Sequence, residues 1–524
     1  MKVELYDTTL RDGAQGTGLS FSIDDRLRIL HKIDQLGVPY IEGGWPGANP
    51  RDTEFFKLAT KETLQHAALT SFGMTRKAGE RAEESAVLRE LLDTGTEVVC
   101  LVGKSWDLHV TEALRTDLDE GVAMVRDSVA FLRGQGRRVF FDAEHFFDGY
   151  RSDPAFAMRV IEAAQEAGAE RLVLCDTNGG MLPFDVARIV DEVASRVEAP
   201  LGIHVHNDAG CAVANSLIAV EHGVFQVQGV VNGYGERTGN ADLIPIAANL
   251  VLKMGADCLP EGAVERLTEV AHYVAEVANV APDSHQPYAG RYAFTHKAGL
   301  HASGLARLEE AYEHVRPSSV GNHRGVVASD LGGAATLHMK SDEFGIDVAD
   351  ATIPAILTEL KERESRGYTF EVADASLELL MRHASGWRQP FFQIESFRVH
   401  VEQRMDDQEE ALAEATVKVV TNGTRHVESA EGHGPVGALD NALRKALSNE
   451  YPALDDMTLE DYRVRVLDET VGTGATVRVL IDTSNGEREW TTVGVSENII
   501  EASWEALVDA YLYGLLHPRE DREA

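Results

Sequence analysis

The stretch that decides the fold is Val3-Glu4-Leu5-Tyr6-Asp7-Thr8-Thr9-Leu10-Arg11-Asp12-Gly13, in which a short apolar strand runs directly into acids and an arginine. Parallel α/β enzymes collect polar groups at the carboxyl ends of their strands, where the loops surround a site. His204-Val205-His206 comes much later in the chain, at the end of another predicted strand. Because Asp and His together suit a divalent metal, the two stretches predict one metal site.

Working outward, short apolar β-rich runs alternate with longer amphipathic runs up to about residue 255. The predicted strands are Val3–Tyr6, Tyr40–Gly43, Ala68–Phe72, Glu97–Val102, Arg138–Ala143, Arg171–Cys175, Gly202–Val205 and Gln226–Val231. The predicted helices between them are Ser22–Leu36, Asp52–Leu64, Arg81–Leu92, Glu120–Arg133, Pro154–Ala167, Pro183–Val197, Cys211–Glu221 and Leu243–Met254. This count and length predict a TIM (β/α)8 barrel over 1–260. A doubly wound sheet is the alternative, but it opens on a Gly-rich turn, and here that turn carries Arg-Asp.

The remainder of the chain divides at a change of pattern. Irregular, Gly-rich sequence with predicted helices at Ala263–Asn279 and Ile353–Ser365 indicates a linker with small helical subdomains over 261–385. An internal repeat follows over 386–524: Phe397–Val401 is similar to Tyr462–Val466, and Thr416–Val420 to Thr476–Leu480. Each copy ends in an amphipathic helix, Pro435–Leu447 and Asn498–Tyr513. Two βββα repeats predict an α+β module with one apolar face on each sheet.

Composition narrows the functions that are open to this chain. The 524 residues carry a formal charge of -36, which makes nucleic acid an unsuitable partner because phosphates would be repelled. No apolar run approaches the length of a membrane span, and no basic stretch with an apolar core opens the sequence, so neither a membrane segment nor a signal peptide is expected. Four widely spaced cysteines without a CxxC fit the reducing cytoplasm.

In a barrel, the polar residues at the strand ends would face one mouth. They are Arg11, Asp12, Glu42, Glu144, Asp176, Thr177, His204, His206, Asn232 and Asn240. Residues two apart on a strand share a face, so both imidazoles could reach the same ion as Asp12; an isolated His-X-His would more often be structural. Mg, Mn, Zn and Co remain open. Arg11 either pairs with Glu42 or Glu144 or stabilises an oxyanion. Gly103-Lys104-Ser105 is no phosphate loop, because Val98 stands where such a loop needs glycine.

Three motifs resemble the signatures of the 2-isopropylmalate synthase and homocitrate synthase family: Asp7–Gln15, His204–Asp208 and Gly235–Asn240. The C-terminal repeat looks like the family's regulatory dimer domain. Ile41-Glu42-Gly43-Gly44-Trp45-Pro46-Gly47 and Phe141–Gly149 are most similar to the citramalate branch, whereas the isopropylmalate branch tends to have Ala-Gly-Phe-Pro in place of Gly-Gly-Trp-Pro. The resemblance therefore covers the whole chain.

The resemblance implies a role for each matching residue. Asp12, His204 and His206 would bind the metal with Asn240 near it, Arg11 would polarise the keto oxygen, and Thr177 and Gln15 would contact the 2-oxo acid. Glu144, His301 and Tyr312 would serve acid–base chemistry, with His296 a rival of His301. His301 and Tyr312 lie beyond the barrel, so they would reach a site of either subunit.

The implied reaction joins the acetyl group of acetyl-CoA to a small 2-oxo acid. In the citramalate branch this acid is pyruvate, the pathway leads to isoleucine, and an end-product amino acid, with isoleucine the first candidate, would bind the regulatory domain of a homodimer. Three alternatives stay open: a 2-isopropylmalate synthase with 2-oxoisovalerate and leucine feedback, a lyase of the hydroxymethylglutaryl-CoA type, and an inactive amino-acid sensor.

Overall fold

The computed structural model describes residues 1–297, 304, 308, 312–326, 333–402, 412–467 and 475–519. The chain forms two compact units, each continuous in space but not in sequence. The first is Met1–Phe294 with His314–Arg324, and the second is Thr295–Glu313 with Gly325–Ala524. Among the described residues, no helix has the length and apolar character that a membrane crossing requires.

The first unit is built on a closed barrel of parallel strands. In order these are β1 Glu4–Asp7, β2 Tyr40–Gly44, β3 Ala68–Met74, β4 Val98–Lys104, β5 Arg138–Glu144, β6 Arg171–Asp176, β7 Leu201–Val205 and β8 Gln226–Gly229. Pairing of β1 with β8, with Glu4 opposite Gln226, closes the ring. The predicted TIM barrel is confirmed. Strand β8 stops before the predicted Val231, because Val231–Gly233 forms a 3-10 turn in which Asn232 has φ +63°.

Helices cover the outside of this barrel. They are α1 Ile23–Leu36, α2 Pro50–Ala59, α3 Ala86–Asp93, α4 Leu118–Gly134, α5 Phe146–Ser152, α6 Pro154–Glu166, α7 Pro183–Ala194, α8 Ala212–Glu221, α9 Leu243–Leu252 and α10 Leu267–Val277. Helix α1 starts at a capping box, in which Ser22 and Asp25 each accept the other's backbone N–H. The expected Asp52–Leu64 helix was placed wrongly: Asn49 caps α2 and Pro50 occupies its first turn.

Two further differences from the predicted elements follow strands β3 and β5. The helix expected from Arg81 starts only at Ala86, because Ala82–Glu84 forms a separate 3-10 turn. Helix α5 was not predicted at all. It begins directly after His145, whose φ of +56° places this residue in the left-handed region. The strand–helix junction after β5 is therefore sharper than a loop of ordinary residues would allow.

The second unit contains helices followed by the two repeats. The helices are α11 Ala334–Glu343, α12 Ile353–Ser365, which matches its predicted bounds, and α13 Asp374–Ala384. A short parallel pair, β9 Thr295–His296 and β10 Gly325–Val326, precedes them. The repeats are β11 Gln393–Glu402, β12 Leu412–Thr421 and β13 Thr424–Gly432 with α14 Pro435–Leu447, and β14 Thr458–Val466, β15 Val477–Ser484 and β16 Glu489–Ser496 with α15 Ile499–Leu516. Both sheets are antiparallel.

The two sheets confirm the predicted order of the repeats, but by strand register Val417 corresponds to Ile481 and not to Val477, with which the predicted alignment matches it. Phe397 on β11 lies opposite Val417 on β12, and Tyr462 on β14 lies opposite Ile481 on β15. Val417 and Ile481 are fully buried in a core that includes Leu443 and other residues of the repeat helices. Alternation along the central strands thus gives each sheet one apolar face, which its helix covers.

Candidate active site

A cavity of about 940 Å³ opens at the carboxyl ends of the barrel strands. The predicted site residues that line it are Arg11, Asp12, Gln15, Glu144, Thr177, His204 and His206. Asn240 lies beside this group through a bridge to His206 and is 2 % exposed. Tyr312 belongs to the second unit, where it is 39 % exposed, and His301 lies outside the described residues.

Asp12, His204 and His206 form a buried cluster whose candidate ligand atoms all lie within 4.8 Å of one another. The Oδ2 atom of Asp12 is 3.2 Å from Nε2 of His204 and 3.8 Å from Nε2 of His206. Asp12 follows β1, whereas His204 is on β7 and His206 directly follows it. The two histidines share a face because strand residues alternate sides, as the sequence predicted.

Unpaired oxygen atoms show that this cluster suits a cation. Oδ1 of Asp12 and Oδ1 of Asn240 are buried and have no hydrogen-bond partner among the described residues. The amide group of Asn240 donates to the carbonyl of Tyr234 at 3.2 Å, which leaves the amide oxygen free to bind a ligand. A buried acceptor without a partner is costly, so two of them beside two imidazoles fit a bound divalent ion.

The electrostatics of the cluster also favour ligation. Burial opposes ionisation of Asp12, but Arg11 and both imidazoles outweigh it and hold the pKa of this carboxyl well below its usual range. Burial and the neighbouring His204 lower the pKa of His206 to about 4, so its imidazole is neutral at physiological pH. Burial likewise opposes protonation of His204, yet Asp12 raises its pKa. A metal would replace that proton.

A buried chain of polar groups orients His204. Nδ1 of His204 lies 2.9 Å from the amide oxygen of Gln228, and Nε2 of Gln228 donates to Asp142 at 3.0 Å. Because an amide oxygen only accepts, Nδ1 of His204 must carry a proton, and Nε2, which faces Asp12, is the nitrogen whose proton a metal would replace. Such outer partners fix the tautomer of metal-binding histidines. Neither Gln228 nor Asp142 was predicted, although both are polar residues within predicted strands.

Arg11 is held rigidly at the edge of the cluster. Its Nε and Nη2 donate to Oε2 of Glu42 at 3.2 and 3.1 Å, and Nη1 donates to Oδ2 of Asp12 at 3.0 Å. The ring of Phe72 lies 3.9 Å from the guanidinium carbon. Of the two partners considered from the sequence, Glu42 is the one that Arg11 contacts. Three of its five N–H groups are used in this way, so two can still serve a substrate oxygen.

Glu144 and Thr177 lie at the ends of neighbouring strands. Glu144 forms an ion pair with Lys104, which lies in the stretch Gly103–Ser105 that the sequence analysis rejected as a phosphate loop. Oγ1 of Thr177 accepts from the backbone N–H of His145 at 2.9 Å. A hydroxyl that accepts from a backbone amide keeps its own proton for another acceptor, such as a carboxylate. Lys104 is the last residue of β4, which extends two residues beyond the predicted end of this strand at Val102.

The motif Gly235–Asn240 supplies the rim of the cavity. Arg237, with φ +55°, donates from Nε and Nη2 to Asp208 at 2.8 and 2.9 Å. A third bond, from Nη2 to the carbonyl of Thr177, measures 2.8 Å. Arg237 thereby joins the loops after β6, β7 and β8. Its role was not predicted, although its motif was.

Comparison with known proteins gives three consecutive family matches. Residues 2–274 match the HMGL-like model, 289–367 the homocitrate synthase post-HMGL domain-like model, and 371–515 the LeuA allosteric (dimerisation) domain. The (R)-citramalate synthase of Streptomyces coelicolor is 52 % identical over 98 % of this chain and 96 % of its own length. The (R)-citramalate synthases of Synechocystis (50 %; 98 % of this chain, 96 % of its own) and Geobacter sulfurreducens (49 %; 99 % of each) are similar.

Proposed function

Because the chain belongs to the 2-isopropylmalate synthase and homocitrate synthase family, in its citramalate branch, we propose that it condenses acetyl-CoA with pyruvate and water to (R)-citramalate and CoA. The observation that carries this proposal is full-length similarity to (R)-citramalate synthases, with every barrel-mouth residue of the family motifs present. The cavity of about 940 Å³ supports it, because a three-carbon acid would leave room for a second, larger substrate.

Asp12, His204 and His206 are the proposed ligands of a divalent metal, and Asn240 would complete the set with its unpaired Oδ1. The donor set of one carboxylate, two imidazoles and an amide oxygen suits Mg, Mn, Zn or Co. When bound, the metal would act as a Lewis acid toward the keto group of the 2-oxo acid. Ligation is also the simplest account of the two buried oxygens that have no partner.

Arg11 would stabilise the negative charge that develops on the keto oxygen. Its guanidinium is fixed in advance by Glu42, Asp12 and Phe72, so little reorganisation accompanies the reaction. Thr177 would donate its hydroxyl proton to the carboxylate of pyruvate, and Gln15, an exposed residue of the same mouth, would contact the acid from the other side of the cavity. These contacts orient the keto carbon toward the acetyl group.

Glu144 is the proposed acid–base group of the barrel, assisted by His301 and Tyr312. The methyl group of acetyl-CoA is a weak acid, and a positioned base contributes about 10²–10⁴-fold to its deprotonation. Glu144 lines the cavity and forms an ion pair with Lys104, which holds its carboxylate at the mouth. Water would then hydrolyse the thioester of the product and release CoA.

The test is release of free thiol from acetyl-CoA by the purified protein with Mg²⁺ or Mn²⁺ and one of four acids: pyruvate, 2-oxobutanoate, 2-oxoisovalerate or 2-oxoglutarate. A preference for pyruvate supports the proposal. A preference for 2-oxoisovalerate would instead assign the chain to the 2-isopropylmalate reaction. Turnover with none of the acids would reopen the lyase and sensor alternatives.

The second unit is proposed to form a homodimer and to bind an end-product amino acid, with isoleucine as the first candidate. On β14 the side chain of Tyr462 faces the helix, since its hydroxyl lies 2.6 Å from Oγ of Ser503. Val464 and Val466 lie on the same face and remain 42 % and 49 % exposed. This apolar extension suits a second copy of the chain. The four cysteines of the chain, all in the first unit, are free thiols, which supports a place in the cytoplasm, where thiols stay reduced.

Regulation can be tested by truncation. A chain that ends near residue 385 should keep the barrel and lose its response to isoleucine. Leucine and valine serve as controls for effector identity. A truncated chain that retains full sensitivity to isoleucine would contradict the proposed role of the repeats.

A further inference from the structure

The junction between Glu144 and His145 connects three loops of the barrel mouth. The carbonyl oxygen of Glu144 accepts from the backbone N–H and from the hydroxyl of Ser105, at 3.2 and 2.7 Å. The N–H of His145 donates to Oγ1 of Thr177 at 2.9 Å. One peptide unit after β5 is therefore tied to the loop after β4 on one side and to the loop after β6 on the other.

This arrangement depends on the left-handed backbone of His145. With φ +56° the chain reverses sharply, and α5 starts at the next residue. A histidine in this region is strained relative to glycine or asparagine, and such strain persists only where the surroundings hold it. Helix α5 is packed too closely to relax: a Cβ atom on Gly149 would lie 2.2 Å from the carbonyl oxygen of Ser105.

The side chain of His145 is fixed as firmly as its backbone. Nδ1 lies 3.3 Å from Oδ2 of Asp148, which also accepts from Nδ2 of Asn178 at 2.9 Å. The ring packs edge-on against His109 at 4.3 Å, and His109 stacks on Trp106 at 4.8 Å. Only 11 % of the His145 side chain is exposed.

The loop that supplies His109 is itself unusual. Residues His109–Ala113 form a turn of π-helix, a rare conformation that is frequent at functional sites. Nδ1 of His109 is buried without a hydrogen-bond partner among the described residues. Burial lowers the pKa of His109, and its neighbours His145 and Lys104 lower it further, so a neutral ring lies against His145. The π-helical turn at His109 and the left-handed backbone of His145 thus bring the two imidazoles into contact.

We propose that His145 is a positioning residue of the condensation reaction. It fixes the carboxylate of Glu144 and the hydroxyl of Thr177 relative to each other, so that both groups face the same 2-oxo acid. His145 does not line the cavity, so it acts through these two residues and not on the substrate. This inference rests on the function proposed above. It adds to that site a residue that contacts neither the metal nor the substrate. Because Thr177 accepts the N–H of His145, its own O–H is directed to the substrate.

Three substitutions separate the backbone of His145 from its ring. His145→Ala loses the ring and strains the left-handed backbone, His145→Gly loses only the ring, and His145→Asn keeps a polar group in a residue that accepts this conformation. We expect kcat/KM for pyruvate to fall about 100-fold in the alanine variant, less in the glycine variant and least in the asparagine variant. KM for pyruvate should rise and kcat should fall, while KM for acetyl-CoA stays unchanged.

Thr177→Val provides the coupling test. If His145 acts through Thr177, the effects of His145→Ala and Thr177→Val on KM for pyruvate should be clearly less than additive in the double variant. His31→Ala is the matched control, because His31 also pairs with a carboxylate, Glu62 at 3.0 Å, but is exposed and distant in the fold from the mouth. Additive effects, or wild-type kinetics in the alanine variant despite a lowered melting temperature, would overturn the proposal.

An activity-independent measurement separates failure of this inference from failure of the proposed function. Wild-type protein that releases no CoA with any acid would refute the proposed function alone. Hydrogen–deuterium exchange of the segment 176–182 then decides: it should be faster in His145→Ala than in wild type and unchanged in His31→Ala. Equal exchange in wild type and the alanine variant would refute the positioning role.

Discussion

The barrel and the C-terminal repeats handle charge in opposite ways. In the barrel, Asp12 and Glu42 are 2 % and 0 % exposed, and both converge on one end of a closed sheet. In the repeats, Arg463 and Asp482 form an ion pair on the exposed face of the sheet. The apolar side chains of Val464 and Val466 are also partly exposed to solvent. Buried charge is costly and persists where chemistry uses it, whereas exposed apolar surface persists where another surface covers it.

This contrast fits the different functions proposed for the two regions, catalysis in the barrel and association in the repeats. Closure of the barrel leaves no free strand edge, so the polar groups of the mouth are fixed relative to one another. The repeats are open three-stranded sheets with unpaired edges at β11 and β14. Open sheets can associate, and a surface that associates can also report the binding of an effector.

The largest effect should come from removing a charge at the barrel mouth. Asp12→Asn deletes the carboxylate that both histidines face, so we expect turnover to fall by about 10³-fold or more and bound metal to be lost. Metal content by mass spectrometry of the purified protein measures the second effect. His222→Ala is the control, since it breaks only an exposed pair with Asp191. Full metal content in the Asn variant would contradict the proposed ligands.

A smaller loss of metal affinity is expected from a change at Gln228, which contacts the proposed ligand His204. Gln228→Leu removes the amide that fixes the tautomer of His204 and takes one hydrogen-bond donor from Asp142. We expect metal affinity to weaken about 10–100-fold, with KM for acetyl-CoA unchanged. Competition with a fluorescent chelator measures the affinity. Gln228→Glu sharpens the test, because it keeps the acceptor for His204 but places a second carboxylate beside Asp142.

In the repeats, the corresponding experiment adds a charge. Val464→Asp places a carboxylate on the apolar face of β14, where Val464 is partly exposed. We expect the dimer dissociation constant to rise at least about 10-fold. Sedimentation velocity over a range of concentrations measures it. Arg463→Ala changes the adjacent residue, which points to the other face of the strand, and should leave the association unchanged. A dimer that tolerates both changes would remove this surface from the interface.

The last test concerns one carboxyl group of the second unit. Burial raises the pKa of Asp509 to about 7, although a hydrogen bond from Ser376 at 2.7 Å favours ionisation. The folded chain therefore keeps a proton that the unfolded chain releases near pH 4, and stability falls as pH rises from about 4 to 7, by at most about 1.4 kcal/mol per pH unit. Asp509→Asn should remove this slope, as urea unfolding between pH 5 and 8 would show.

The sequence predicted those parts of the fold that follow from periodicity. Eight strand–helix alternations and the two βββα repeats appear directly in the hydrophobic pattern. Helix α5 was missed because it starts at a left-handed histidine, which no capping or proline signal announces. Helix α13, over Asp374–Ala384, was also missed, although its sequence is rich in residues that favour helices.

For the site, the sequence identified residues by position but not by contact. Asp12, His204 and His206 could be placed at one mouth because strand ends in a barrel converge. Which group orients His204, and what Lys104 pairs with, depend on distances between strands that are far apart in sequence. Gln228 was predicted only as part of a strand, and Lys104 was considered only in a stretch that was rejected as a phosphate loop. Only the register of the barrel assigns them to this site.

The closing seam of the barrel also bears on how the site comes into existence. Asp12 follows the first strand to be synthesised, the two histidines belong to the seventh, and the strand between them in space, β8, is the last. A nascent chain cannot assemble this cluster until residue 226 and its neighbours have paired with Glu4. An ion held there would connect the first and last parts of the barrel. Bound metal would therefore slow separation of the first strand and would stabilise only chains in which the barrel is closed.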